Sequence, residues 1–304
     1  MKLGLVSAIL DKNNFYELID IVAENDMNCV EVACWPSGKV ERRYAGVSHI
    51  DVSNLGYDES QEMLNYCAKK NVQISALAYY PNPLTEDLDK RKETIDHLYK
   101  VIDAAKLMNI NMVTTFIGRM KDKSVTENLQ EVKEVWTPIV KYAEQAQVKI
   151  AIENCPMLFT EDEWPGGQNI MTTPKIWREV FDILDSDYIG LNYDPSHFVW
   201  QGIDYIKPLY EFKDKIFHVH YKDIKVYSEK LAEVGVMATP LEYMSPKLPG
   251  LGDVDWGKYV SALTDIGFDG NSCIEIEDKA FEKDYQDVIK SIRLSVRYLR
   301  NFVI

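Results

Sequence analysis

The sequence predicts an α/β protein built as one (β/α)₈ TIM barrel, and two observations carry that expectation. Short apolar runs alternate with longer segments of helical periodicity along the chain, as repeated βα units around a parallel sheet require. Four of those runs, 148–154, 188–197, 216–220 and 273–277, end in acidic or imidazole side chains. A parallel strand buried on both faces should be continuously apolar, so a charged group at its C-terminal end needs a partner there. In a barrel that end is the functional face.

Strands are expected near 2–7, 28–34, 72–79, 111–117, 148–154, 188–193, 215–221 and 271–277. Asn13-Asn14 opens the first helix, whose Leu18, Ile19, Val22 and Ala23 follow one stripe. Ile95, Leu98, Ile102, Ala105 and Leu107 mark the third helix, and Ile292, Val296, Leu299 and Phe302 the last. Connections at 35–58, 155–172 and 222–254 are richer in Pro, Gly or aromatic residues and fall at the functional face, as pocket walls or lids would. No composition break marks a linker, so one domain spanning 1–304 is expected.

The 304 residues, 46% of them hydrophobic, suffice for a large core. A formal charge of −14 disfavours nucleic acid or an anionic membrane surface as partner. The opening Met1-Lys2-Leu3-Gly4-Leu5-Val6 enters a strand without the features of a secretory signal, and no run is long enough to span a bilayer; a cytoplasmic protein is expected. Five cysteines without CxxC spacing read as reduced, mostly packed thiols. Cys155 belongs with them, because no histidine is assigned to activate it.

Glu153, Asp194, His220 and Glu275 would come from four neighbouring strand ends, giving three carboxylates and one imidazole around half of the barrel mouth. Such an oxygen-rich set suits one divalent ion, Mn²⁺ first, with Mg²⁺, Co²⁺ and Zn²⁺ compatible. An ion of this kind binds a carbonyl and an adjacent hydroxyl of a keto sugar and lowers the cost of an enediolate. Glu153 and Glu275 are the candidate catalytic pair, one removing the proton and the other returning it. His197, three residues after Asp194, is assigned to a substrate hydroxyl. His218 shares a strand face with His220 one layer deeper, and Glu277 lies nearer the mouth than Glu275.

Among aromatics near strand ends, Trp35 and Trp256 are the candidate platforms for a sugar ring, although loop aromatics also serve as anchors. Lys222 and Asp223 suit a solvated salt bridge as well as a substrate contact. His49 could face substrate, whereas His97 lies on a helix. Gly166-Gly167 and Gly250-Leu251-Gly252 lack the strand-to-helix context of a phosphate cradle.

The segments Ala151-Ile152-Glu153-Asn154, Asp194-Pro195-Ser196-His197, His218-Val219-His220-Tyr221-Lys222-Asp223, 248–256 and 269–275 resemble, in order, those of the xylose-isomerase-like TIM-barrel family of sugar phosphate isomerases and epimerases. The resemblance implies Glu153, Asp194, His220 and Glu275 as metal ligands and His197 as a substrate contact. Val226 stands where the ketose 3-epimerase branch carries an arginine, which loosens any transfer of sugar preference.

The leading functional expectation is a divalent-metal-dependent isomerase or epimerase of a sugar, keto sugar or sugar phosphate. The alternative is a lyase or dehydratase acting on a keto sugar, oxidised glycoside or inosose through the same enolate. Ranked below them are an AP-endonuclease-like nuclease, for which five histidines and the negative charge are a poor fit, and a non-catalytic sugar-binding barrel. A small carbohydrate is the expected partner, and homo-oligomerisation is compatible with the resemblance.

Overall fold

The computed structural model describes residues 1–36, 45–158, 164 and 166–303. Its strands are β1 (Lys2–Val6), β2 (Cys29–Ala33), β3 (Gln73–Ala78), β4 (Met112–Thr115), β5 (Lys149–Glu153), β6 (Ile189–Tyr193), β7 (Ile216–Tyr221), β8 (Asp223–Val226), β9 (Met244–Lys247) and β10 (Asn271–Ile274). All but β8 and β9 are parallel and close into one barrel in the order β1-β10-β7-β6-β5-β4-β3-β2. Each barrel strand falls inside the span expected from sequence. Closure joins the two ends of the chain, with Leu3 opposite Ser272 and Leu5 opposite Ile274.

The surrounding helices are α1 (Phe15–Glu24), α2 (Tyr57–Lys69), α3 (Leu88–Leu107), α4 (Val125–Ala146), α5 (Pro174–Leu184), α6 (Ser196–Val199), α7 (Lys207–Glu211), α8 (Ser228–Val234), α9 (Trp256–Asp265) and α10 (Tyr285–Leu299). Asn14 caps α1 by accepting the Glu17 N–H, while the Glu17 carboxylate accepts the Asn14 N–H, so two otherwise orphaned donors are satisfied. Leu18, Ile19 and Val22 then bury one face of α1 against the sheet. Leu98, Ile102 and Ala105 do the same for α3, and Ile292, Val296 and Leu299 for α10. Two expected core positions differ: Leu107 is 37% exposed at the end of α3, and Phe302 lies beyond α10 and is half-buried.

Two departures from the simple βα repeat lie at the functional face. The 222–254 connection holds the antiparallel β8–β9 hairpin, with Ile224 opposite Pro246. Between β6 and β7 the chain makes the two short helices α6 and α7 in place of one long one. Among the described residues no helix is long and apolar enough to cross a membrane.

Inside the barrel, register slips re-aim two side chains. Val30 pairs with Ile74 but Glu31 with Ala76, so Ser75 is an extra residue on β3. Leu191 pairs with Ile216 but Asn192 with His218, so Phe217 is an extra residue on β7. Gly190 makes room for the latter, since a Cβ there would lie 2.6 Å from the Phe217 ring. Bulges of this kind bend a strand and redirect its neighbours. Here they set the register of His218 and bring Ser75 within 3.1 Å of its Nε2.

Candidate metal centre and its supporting network

Glu153 is the last residue of β5, Asp194 follows β6, His220 lies in β7 and Glu275 follows β10. One donor atom from each lies within 4.8 Å of the other three. His220 Nδ1 is 3.2 Å from Glu275 Oε2 and 3.7 Å from Glu153 Oε1. His197, in α6, points its Nε2 into the same space, 3.3 Å from Asp194 Oδ2 and 3.4 Å from Glu153 Oε1. Asp194 is fully buried, and Glu153 and His220 are nearly so.

The inward atoms share a second property. Glu153 Oε1, Asp194 Oδ2, His197 Nε2, His220 Nδ1 and Glu275 Oε2 are all buried without a hydrogen bond. Orphaned polar atoms in a buried site are costly, and carboxylates facing one another more so, unless a cation lies among them. The donor set therefore fits a hard or borderline divalent ion.

Asp194, His220 and the turn after β5 are tied down from behind. Asp194 Oδ1 accepts the Ser196 N–H at 2.8 Å, while Asn154 grips the Asp194 backbone through both its N–H (2.8 Å) and its carbonyl (2.9 Å). Asn169 donates to the carbonyls of Glu153 and Cys155, fixing the turn that leaves β5. His220 Nε2–H donates to Glu31 Oε2 at 2.7 Å, which leaves Nδ1 facing the cluster. Glu31 Oε1 accepts the hydroxyls of Tyr80 (2.5 Å) and Thr114 (2.9 Å). One layer deeper, His218 Nδ1–H donates to Asn192 and its Nε2 accepts from Ser75.

Electrostatics follow from these contacts. Burial alone would push the Glu31 carboxyl up, but His220 beside it outweighs burial and holds it below its usual range. Burial would push His220 down; Glu31, Glu153 and Glu275 reverse this and raise it well above the ordinary imidazole value. Lys222 is 3% exposed, with Nζ 3.2 Å from Glu275 and 2.7 Å from Glu277. These carboxylates overcome its burial and keep it protonated. Of the two readings the sequence allows at Lys222, a salt bridge or a substrate contact, the structure shows a salt bridge, buried and not solvated.

The structure does not bring every candidate to the mouth. Trp256 is corrected: it is 1% exposed, packs against Tyr221 and Tyr259, and donates its indole N–H to Asp223 at 2.9 Å, so no ligand reaches its face. It opens α9, and the first turn of a helix that packs on the sheet places such a ring underneath the loop. Trp35 is half-buried just past β2, edge-on to Tyr79. His49 is buried between Ser7 and Leu10 and does not face the cluster, while His97 donates to the Cys34 carbonyl. Residues 37–44, 159–163 and 165, within two of the expected lid segments, lie outside the described residues.

Glu31 is the supporting residue that sequence reading missed. Glu31 carries the signature that singled out Glu153, an acid in an otherwise apolar strand, but in mid-strand.

A family model described as xylose isomerase-like TIM barrel matches residues 19–301. The chain belongs to that family. Within curated proteins it is 23% identical to the uncharacterized protein YfiH of Bacillus subtilis (strain 168), across 100% of this chain and 99% of YfiH. It is 29% identical to an inosose dehydratase of Clostridium perfringens over 132 residues, 41% of this chain and 43% of that protein.

Among solved structures, the probable 3-DHS dehydratase AsbF of Bacillus anthracis superimposes with a TM-score of 0.73 at 15% identity, covering 99% of each chain. An IolI protein with a bound zinc atom gives 0.71 at 20% identity, with 99% of each chain covered. A D-psicose 3-epimerase of Clostridium cellulolyticum H10 gives 0.69 at 13% identity, covering 100% of this chain and 99% of that one. These likenesses concern the fold, which dehydratases and epimerases share.

Proposed function

We propose that the protein is a divalent-metal-dependent enzyme that removes the proton beside the carbonyl of a small polyhydroxylated ketone, of the sugar or cyclitol class. The convergence of five buried donor atoms without a hydrogen bond at the barrel mouth carries this reading. Glu153, Asp194, His220 and Glu275 would hold the ion. Bound there, it would polarise the carbonyl and withdraw charge from the carbon to be deprotonated. The zinc-bound IolI relative supports a metal at such a site, and the donor set leaves Mn²⁺, Mg²⁺, Co²⁺ and Zn²⁺ as occupants.

Glu153 is the proposed base: of the two glutamates that face the cluster, it is the one without a lysine at ion-pair distance. His197 holds a substrate hydroxyl. Lys222, a protonated ammonium beside Glu275, would stabilise the charge on a departing hydroxyl, so loss of water is the fate we favour. The partial sequence likeness to inosose dehydratases supports the same outcome.

A second reading rests on a different observation. Glu153 and Glu275 both send a carboxylate oxygen into the cluster, so the second could return the proton that the first removes. Epimerisation or aldose–ketose isomerisation would result.

The deciding experiment incubates the Mn²⁺-loaded protein with inososes, keto sugars and oxidised glycosides in D₂O, following deuterium incorporation and product mass together. Exchange with a product lighter by one water is expected. Exchange at constant mass would replace dehydration with epimerisation, and activity that survives complete chelation would overturn both readings.

A further inference from the structure

Among the described residues Arg119 has no counter-ion. Arg91 pairs with Glu131 and Arg178 with Glu211, but no carboxylate of the described residues lies at ion-pair distance from Arg119. Its Nη1 donates to the Gly166 carbonyl at 3.2 Å, whereas Nε is buried without a hydrogen bond and Nη2 makes none. Burial holds its pKa below the usual arginine value, and no acid pulls it back. A buried N–H on a permanent cation is costly unless an anion meets it. The residue follows β4 by four positions, on the face that carries the four-donor centre.

The surrounding turns hold the guanidinium in place. Asn82 Oδ1 accepts the Arg119 N–H at 2.9 Å, and Asn82 Nδ2 donates to the Arg119 carbonyl at 2.8 Å. Gly118, at φ +89°, lets the chain pass so close to Asn82 that a Cβ there would collide with its side chain. Gly166 does the same for the guanidinium, since a Cβ at that position would strike Nη1. The Ile170 N–H donates to the Gly118 carbonyl at 3.1 Å, and Asn169 beside it donates to the Glu153 carbonyl. One stretch, 166–170, thus fixes both Arg119 and the end of β5.

We infer that Arg119 binds a carboxylate carried by the substrate, which makes the substrate an acidic sugar or cyclitol, a polyhydroxylated ketone that also bears a carboxylate. This rests on the metal-assisted reaction proposed for the strand-end centre. Nε and Nη2 form one edge of the guanidinium, and two parallel N–H groups match the two oxygens of a planar carboxylate. With Nη1 held by Gly166, that edge is the one left for a ligand. A phosphate ester, with three oxygens and nearly two charges, asks for more donors than one edge supplies. Held at the carbonyl by the ion and at the carboxylate by Arg119, the substrate has one carbon to present to Glu153.

The test titrates the Mn²⁺-loaded protein calorimetrically with glucose, glucuronate and glucose 6-phosphate, which share a ring and differ in charge. Glucuronate is expected to bind about 10–100-fold more tightly than glucose. Arg119→Gln should abolish that advantage while still binding Mn²⁺, and Gly166→Ala, which displaces the guanidinium without removing its charge, should reduce it. Arg119→Lys, which keeps the charge and loses the fork, should also lose most of it and serves if the glutamine variant folds poorly. An advantage that survives Arg119→Gln would give the carboxylate to the metal and overturn the inference, as would equal or undetectable binding of glucose and glucuronate. Tighter binding of glucose 6-phosphate than of glucuronate, lost in Arg119→Gln, would give the site to a phosphate ester and overturn the carboxylate assignment. If the protein binds no Mn²⁺, the metal-assisted reaction falls, and the same comparison on the metal-free protein still decides the Arg119 site.

Discussion

Glu31 is a fully buried carboxylate in the middle of the apolar segment Cys29-Val30-Glu31-Val32-Ala33, and both of its oxygens are occupied. Its bond to His220 Nε2 fixes which imidazole nitrogen faces the cluster, and such outer partners typically change metal affinity by 10–100-fold. Glu31→Gln keeps the shape but weakens the acceptor, so the dissociation constant for Mn²⁺ is expected to rise about 10–100-fold in a calorimetric titration. An unchanged constant would reduce Glu31 to a packing role. At His49, Nε2–H donates to the Leu10 carbonyl and Nδ1 accepts from Ser7, whose oxygen in turn accepts the Ala33 N–H. The neutral ring is thus satisfied, and burial, the largest cause, lowers its pKa from the ordinary 6.5. The unfolded chain therefore binds this proton more readily, and the stability His49 contributes is full above about pH 6.5 and lost as pH falls through the lower folded value. The gap between the urea midpoints of the native protein and His49→Gln should narrow from about pH 7.5 to about pH 5.5; parallel curves would refute the assignment.

At the scale of elements, the 222–254 connection is organised by a single carboxylate. Asp223, the first residue of β8, accepts N–H bonds from Ile224 (2.8 Å), Gly250 (2.8 Å), Val254 (3.1 Å) and the Trp256 indole (2.9 Å). One side chain thereby joins the hairpin, the 248–254 turn and the start of α9. Asp223→Ala would leave those donors buried and unpaired, at a cost of about 3 kcal/mol. Chemical denaturation should show that loss, together with faster hydrogen exchange at Gly250 and Val254; a loss under about 0.5 kcal/mol would mean that water replaces the carboxylate. The hairpin itself was hard to read because Pro246, which has no N–H for a ladder, sits in the middle of β9. Asp223 was hard to read for another reason: an Asp after a strand gives no sign of whether it faces water or three amides and an indole.

Across the whole molecule, the barrel was legible because a strand covered on both faces must be apolar, and eight such runs alternate with helical stripes. The four strand-end residues were legible by the same rule in reverse, since Glu153, Asp194, His220 and Glu275 each interrupt an apolar expectation, and the structure brings them together. Sequence did not distinguish Trp256 as core from Trp256 as platform, because a large aromatic at a loop–helix junction satisfies both patterns. It also gave no sign of the slips at Ser75 and Phe217, which depend on how neighbouring strands register and not on either strand alone.

The pairing of β1 with β10 has a consequence for how the molecule is made. Leu5 pairs with Val30 early but finds its second partner only when Ile274 is present, so the sheet stays open on both sides until β10 has been made. Contacts between such distant parts of a chain are slow to form. Until they do, β1 at one edge and β7 at the other present unpaired amides and carbonyls that any extended segment could cap. The nascent chain is therefore most exposed to misassociation just before its last strand arrives, and the same strand pair that completes the mouth ends that vulnerable period.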